Sequence, residues 1–348
     1  MKILGGLKSL NPIYQMFFIS TSISCFFTIY LVAHWEIRTL FSVTSSSVTF
    51  IMIIIYLTKF ADYPSKWKQG DIFLLLLTFI TVSHLPCHFL GTGKITYKKE
   101  KKDELLIKID KYILGWLVKD GKIPLWIDNN DYIGPHTQLG KFLNNSLEIF
   151  YFFYYLIPYV SMHFMSLINC LREIIFRFKH NGLKSSSYKK TWNTTLFVFS
   201  VYLLTCVFIF FVNTLVPAIS PRKYLKNEYT HPLVLSGLGK YLIKKCKDEH
   251  SANSFPSGHV AEMLSIGLSY YTAKDKFTGK IIIFSSGIIA TATLFLRYHY
   301  FCDIIMAVFL SLLSFGINYF FGLRRYRRYN KEHERNFKIM NDSPDFMI

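Results

Sequence analysis

Acidic residues are scarce in this chain: 22 Asp and Glu stand against 40 Lys and Arg, a formal charge of +18 over 348 residues. A surplus of that size raises a nucleic-acid reading. The long apolar runs described below argue against it, so no nucleic-acid partner is expected. Cysteine is sparse as well. The six (Cys25, Cys87, Cys170, Cys206, Cys246 and Cys302) form no CxxC pair and no His/Cys spacing that would hold a metal. Most fall inside hydrophobic runs, where a thiol serves as small apolar filler. Internal repeats and low-complexity segments are absent. A cleavable leader is not expected either: the first apolar run is about 20 residues long, follows only two lysines and leads into HWEIR rather than a small-residue cleavage site.

What is present in quantity is apolar and aromatic. Half the chain is hydrophobic, with 33 Phe and 23 Tyr. Runs of about 18 or more apolar residues mark candidate membrane spans. Clear runs occupy Tyr14–His34, Ile72–Leu90, Leu147–Ile168, Leu196–Ile219 and Ile304–Gly322, and weaker ones Ser42–Thr58, Val260–Ala273 and Ile281–Leu296. The expected fold class is therefore all-α, a polytopic helical membrane protein with about eight transmembrane helices. Short basic loops settle orientation by staying cytoplasmic. The N-terminus, the 59–71 loop, the 172–190 loop with its six positive residues and one acid, the 274–280 turn and the tail fall on one face. That face reads as cytoplasmic, with both termini inside. The 91–146 and 220–257 loops then lie on the luminal or exoplasmic side. The first holds ten lysines against seven acids and ends in NNS, a glycosylation sequon pattern at Asn144.

Three short patches fall on that non-cytoplasmic side: PAISPRKYLK at Pro217–Lys226, SANSFPSGHV at Ser251–Val260 and LRYHYFCD at Leu296–Asp303. The middle patch opens a helix. Helix-start amides, a close-approach glycine (Gly258) and the Ser257 hydroxyl make an anion site, and His259 can protonate a leaving oxygen. In the third patch, a helix running through it would place His299 and Asp303 one turn apart on one face. An aspartate on one ring nitrogen fixes the tautomer and leaves the other nitrogen as a nucleophile. Arg297 offers a permanent charge for phosphate oxygens, while Arg222, Lys223 and Lys226 add cations at the first patch. Ionisable groups at membrane depth are expensive and usually functional.

These residues resemble the type 2 phosphatidic acid phosphatase/haloperoxidase superfamily of integral-membrane enzymes. PSGH stands intact at Pro256–His259, and His299 precedes Asp303 by four residues as in the family's third motif. The RYHYxxD wording also resembles the inositol phosphorylceramide synthase-like branch. The resemblance implies that His299 attacks phosphorus, Asp303 orients it and His259 protonates the departing alcohol. Arg222, Ser257, the Gly258 amide and Arg297 would hold the phosphate, with Lys223 or Lys226 standing in for the first-motif lysine. No cofactor and no metal are implied. Two positions depart from the pattern: Leu215 stands where the first motif has lysine, with Lys223 after Arg222 in place of proline, and Thr293 stands where the third motif has arginine. Arg297, one helical turn later and about 6 Å along the axis, would replace that arginine.

The implied activity is metal-independent hydrolysis of phosphatidate or a related phospholipid through a phosphohistidine. The alternative is a phosphotransferase moving a phospho-headgroup from phosphatidylinositol to ceramide. The chain divides into an N-terminal pair of helices (1–71), a phosphatase-like catalytic domain with a six-helix core (72–322) and a basic cytoplasmic tail (323–348). The endoplasmic reticulum, Golgi or plasma membrane is the expected location, with the site luminal or exoplasmic. His84, His88, His136 and His163 are read as packed or interfacial, and the run IFYFFYYLIPY as lipid- or core-facing material. Glu262, one turn after His259, is left out of the site.

Overall fold

The computed structural model describes residues 10–35, 48–49, 51–56, 96, 99–118, 120–154, 175, 186–233, 254–273, 275–328 and 330–331, and among them only helices form. In chain order these are α1 (Pro12–Trp35), α2 (Asp103–Leu114), α3 (Ile123–Asp128), α4 (Gln138–Tyr154), α5 (Ser186–Leu215), α6 (Pro221–Tyr224), α7 (Gly258–Thr272), α8 (Lys276–Phe295) and α9 (Phe301–Asn318). A single π-turn, Tyr319–Leu323, extends α9. The expected span Ile72–Leu90, most of Ser42–Thr58, the second half of Leu147–Ile168, His84, His88, His163 and most of the basic loops and tail lie outside the described residues.

Helix α5 is the axis of the bundle. It is apolar on every side, and such a helix is stable only when surrounded. Leu196, Phe197, Val198, Phe199, Val201, Tyr202 and Leu203 are all sealed from solvent between α1, α7 and α9. Polar residues inside the bundle pair with each other: Ser20 with Ser200 at 2.9 Å, Ser200 with Asn318, and Asn193 with the Tyr326 hydroxyl at 2.8 Å. Helices α7 and α8 approach closely through glycine. A Cβ on Gly279 would lie 2.4 Å from the Tyr271 amide nitrogen, so no larger residue fits there, as small-residue seams in membranes require.

The outer faces carry the opposite signature. Phe284 on α8, Phe309 and Leu312 on α9, and Phe320 and Phe321 beyond it are all more than half exposed. An apolar surface of that extent seeks lipid. Among the described residues, Asn193–Leu215, Lys276–Phe295 and Phe301–Arg328 are long and apolar enough to cross a bilayer, and Pro12–Phe27 is apolar but shorter. Three spans rather than eight are thus on view, with α7 too short at 15 residues.

The 91–146 stretch differs from the polar loop that its lysines suggest. It holds α2, α3 and the start of α4, and its carboxylates point inward: Asp103, Asp110 and Asp128 are at most 1% exposed. Asn144 also sits inside α4, 2% exposed. A buried helical amide is no glycan acceptor, which corrects the sequon expectation. Cys25, Cys206 and Cys302 are buried free thiols, as filler should be.

Candidate active site

The three patches meet at one end of the bundle. The Arg222 amide donates to the Arg297 carbonyl at 2.8 Å, the Ser254 amide to the Ala218 carbonyl at 2.9 Å, and the Ser257 amide to the Asp303 carbonyl at 3.2 Å. Topology does this. α5 exits at the first patch, α7 enters at the second, and α8 and α9 turn around the third.

The His–Asp pair forms by a route other than a continuous helix. α8 stops at Phe295, and the Tyr298 amide reaches back to the Thr293 carbonyl at 2.8 Å while the Arg297 amide bonds Leu294 at 3.1 Å. This is the Schellman arrangement, whose turning residue is left-handed and usually glycine. Here that residue is Arg297, at φ 61°. His299 follows in the extended connection, and Asp303 lies in the first turn of α9. The Asp303 carboxylate reaches back to accept from the Tyr300 amide at 3.1 Å, the Ser254 hydroxyl at 3.0 Å and His299 Nδ1 at 3.0 Å. Pairing through Nδ1 turns Nε2 of His299 outward as the reactive nitrogen. The expected contact is made, but a helix cap makes it.

His259 lies on the first turn of α7, its ring centroid 6.0 Å from that of His299 and tilted by 60°. A nucleophile needs phosphorus at about 3 Å, and a general acid needs the leaving oxygen within about 3 Å. Two imidazoles at this spacing can therefore bracket one tetrahedral phosphoryl group. The donors for its oxygens lie alongside. Ser257 caps α7, is fully buried, and its hydroxyl meets no hydrogen-bond partner among the described residues. Such an orphan costs stability unless something else binds it. Gly258 follows, and a Cβ there would meet nothing closer than 3.8 Å. The fold itself leaves room for alanine, so the glycine keeps space open rather than filling a turn. Arg222 is half-buried, its guanidinium 3.5 Å from the Tyr298 hydroxyl and 5.7 Å from that ring's centroid. Lys223 and Lys226 are exposed.

Arg297 is placed elsewhere than the sequence suggests. A left-handed residue beyond the end of α8 does not continue the helical face of Thr293, so the one-turn relocation is corrected. Its Nη2 lies 2.6 Å from Asp128 Oδ1 and 2.9 Å from the His231 carbonyl, and its guanidinium carbon stands 3.8 Å from the centre of the Tyr229 ring. Burial pulls this guanidinium below its ordinary pKa, and the Asp128 charge opposes that. His136 stacks on His231 at 4.1 Å beside this pair.

Sequence reasoning missed several residues that build the site. Asp110 accepts from the Phe301 and Cys302 amides at 2.9 and 2.7 Å, capping α9 from a different helix. Asp103 joins two patches, taking the Ile219 amide at 3.2 Å and the Tyr300 hydroxyl at 2.8 Å. Burial raises both carboxyls to about 6, against the pull of these donors. Tyr151 of α4 sets its hydroxyl 3.0 Å from His259 Nε2 and stacks on Tyr298 at 4.8 Å. One signal for α2 was available: Asp103, Leu106 and Asp110 stand three and four residues apart, the spacing of one helix face. Nothing distinguished Tyr151 within its aromatic run.

Comparison with known proteins bears on the same segment. Residues 190–317 match the PAP2 superfamily. A curated Dictyostelium discoideum protein, described as a PA-phosphatase related-family protein, is 29% identical over 253 residues, covering 69% of this chain. The chain spans about 45% of that relative's length. No solved structure matches. The three helices long and apolar enough to cross a bilayer point to a membrane protein. His259, His299 and Asp303 all fall inside the segment that is similar to the PAP2 superfamily.

Proposed function

We propose that the chain is an integral-membrane lipid phosphate phosphatase that works through a phosphohistidine on His299. The observation that carries this reading is the bracket itself. His299 is pinned through Nδ1 by a buried aspartate, and His259 faces it at 6.0 Å with the orphaned Ser257 hydroxyl beside it. In the first step His299 Nε2 forms a bond to phosphorus as the ester P–O bond breaks, and His259 supplies the proton to the alcohol. Water then takes the phosphoryl group and His259 takes the proton back. Asp303 stabilises the positive charge that develops on the ring. The phosphate oxygens are held by Ser257, the first amides of α7 and Arg222, with Lys223 at the rim. The Nη2 of Arg297, committed to Asp128, contributes chiefly by fixing the connection that carries His299.

In this reading residues 72–322 are the catalytic domain, and the bundle end holding the three patches faces the luminal or exoplasmic side. The test is turnover by purified protein in detergent without added metal. Phosphatidate should yield inorganic phosphate, and labelled substrate should leave an acid-labile, base-stable phosphate on wild type but not on His299→Ala. Product only when phosphatidylinositol and ceramide are supplied together would overturn hydrolysis in favour of headgroup transfer. Turnover unaffected in His299→Ala would overturn the mechanism.

A further inference from the structure

Helix α2 has three distinct faces. Asp103, Leu106 and Asp110 point into the protein and tie the helix to the first and third patches. Glu104, Lys108 and Lys111 form a second, exposed charged stripe. The third stripe is Leu105, Ile109 and Tyr112, prolonged by Trp116 just beyond the helix. Tyr112 is 92% and Trp116 81% exposed. The level of this helix relative to the bilayer is fixed by its neighbours. Val118, Ile123 and Ile127 pack with Leu114 against Leu294 and Phe295 at the end of one span and Phe301 at the start of the next.

We infer that α2 and the turn after it lie in the headgroup layer of the protein's own membrane, with Tyr112 and Trp116 at the acyl boundary and Lys108 and Lys111 toward lipid phosphates. An aromatic stripe beside a lysine stripe, at the depth where spans end, is the pattern of an interfacial helix. Because the same helix caps α9 and braces Tyr300, the site mouth is then held at the height of the lipid phosphates. The test uses full-length protein in liposomes and the difference in tryptophan emission between wild type and Trp116→Phe. Phospholipids brominated near the head of the chain should remove most of the Trp116 component, and lipids brominated near the chain end much less. A Trp116 component that aqueous iodide quenches and brominated lipid does not would overturn the inference.

A second observation, independent of the first, concerns Tyr151. Its hydroxyl occupies His259 Nε2 at 3.0 Å, while its ring is fixed between His259 and Tyr298. That nitrogen is the one that must serve the departing alcohol. We propose, resting on the phosphohistidine reading, that Tyr151 carries the proton. As His299 Nε2 bonds to phosphorus and the P–O bond breaks, the alkoxide takes the Tyr151 hydroxyl proton and Tyr151 takes one from His259 Nε2–H. When water attacks the P–N bond, its proton returns by the same two hops. Tyr151→Phe keeps the stacked ring and removes only the relay.

Turnover of an alkyl phosphate such as phosphatidate should fall by about 100-fold or more in this variant. An aryl phosphate whose leaving group needs no proton should be affected far less, and adding His259→Ala should not deepen the alkyl loss. Equal losses on both substrates, or no loss on either, would overturn the relay. Failure of the underlying reading would appear separately, as unchanged turnover in His299→Ala.

Discussion

Asp303→Ala is expected to lower turnover by about four orders of magnitude, and Asp303→Asn by less. The grading follows from the atom that does the accepting. Oδ2 alone receives His299 Nδ1, the Ser254 hydroxyl and the Tyr300 amide. An asparagine with its oxygen in that position keeps all three donors and the tautomer of His299. It loses only the negative charge that, in the proposed mechanism, stabilises the ring as it takes up phosphorus. Alanine loses the charge, the orientation and the back-bond that caps α9 together. Asparagine is therefore the informative variant: its melting temperature in detergent should stay near wild type while kcat drops and KM holds, because a missing charge acts in the transition state. Equal kcat for Asp303→Asn and wild type would mean that the ring is held in place without needing the charge.

The same residues show how far the sequence could be read. PSGH and the His–Asp spacing pointed to His259, His299 and Asp303, and the fold brings these three side chains together. Local geometry was less legible. A histidine four residues before an aspartate fits one helical face, yet the chain breaks the helix at Arg297 and rebuilds the contact through a cap. Periodicity cannot separate these cases, since both bring i and i+4 together. The spans were visible where apolar runs were long, as in α5 and α9. The brace was invisible because Asp103, Asp110 and Asp128 sit in a lysine-rich stretch that composition assigns to solvent. Their partners lie more than 100 residues away in sequence, and single-sequence reasoning has no term for such pairs. Tyr151 failed for the opposite reason: among so many aromatics, one hydroxyl facing a histidine carries no mark.

Asp128→Ala should be the most destabilising single change in the brace, by about 3–5 kcal/mol. It would leave the Arg297 guanidinium buried beneath Tyr229 with the His231 carbonyl as its remaining acceptor among the described residues. Arg297→Ala should cost less, because Asp128 keeps the Thr230 amide and hydroxyl at 2.8 and 3.0 Å. The double variant should fall well short of the sum, since neither charge is then stranded. Arg297→Gly separates backbone from side chain. Glycine adopts a φ of 61° without strain, whereas a residue with a Cβ is opposed by about 1–2 kcal/mol. Arg297→Gly should therefore melt higher than Arg297→Ala, although both lack the guanidinium. If the two melt together, the left-handed turn is not where the chain stores strain. If Asp128→Ala melts with wild type, the ion pair does not hold the connection. Activity then divides the roles of the arginine: a brace predicts turnover that recovers as stability is restored in Arg297→Gly, and a phosphate clamp predicts equal loss in both variants.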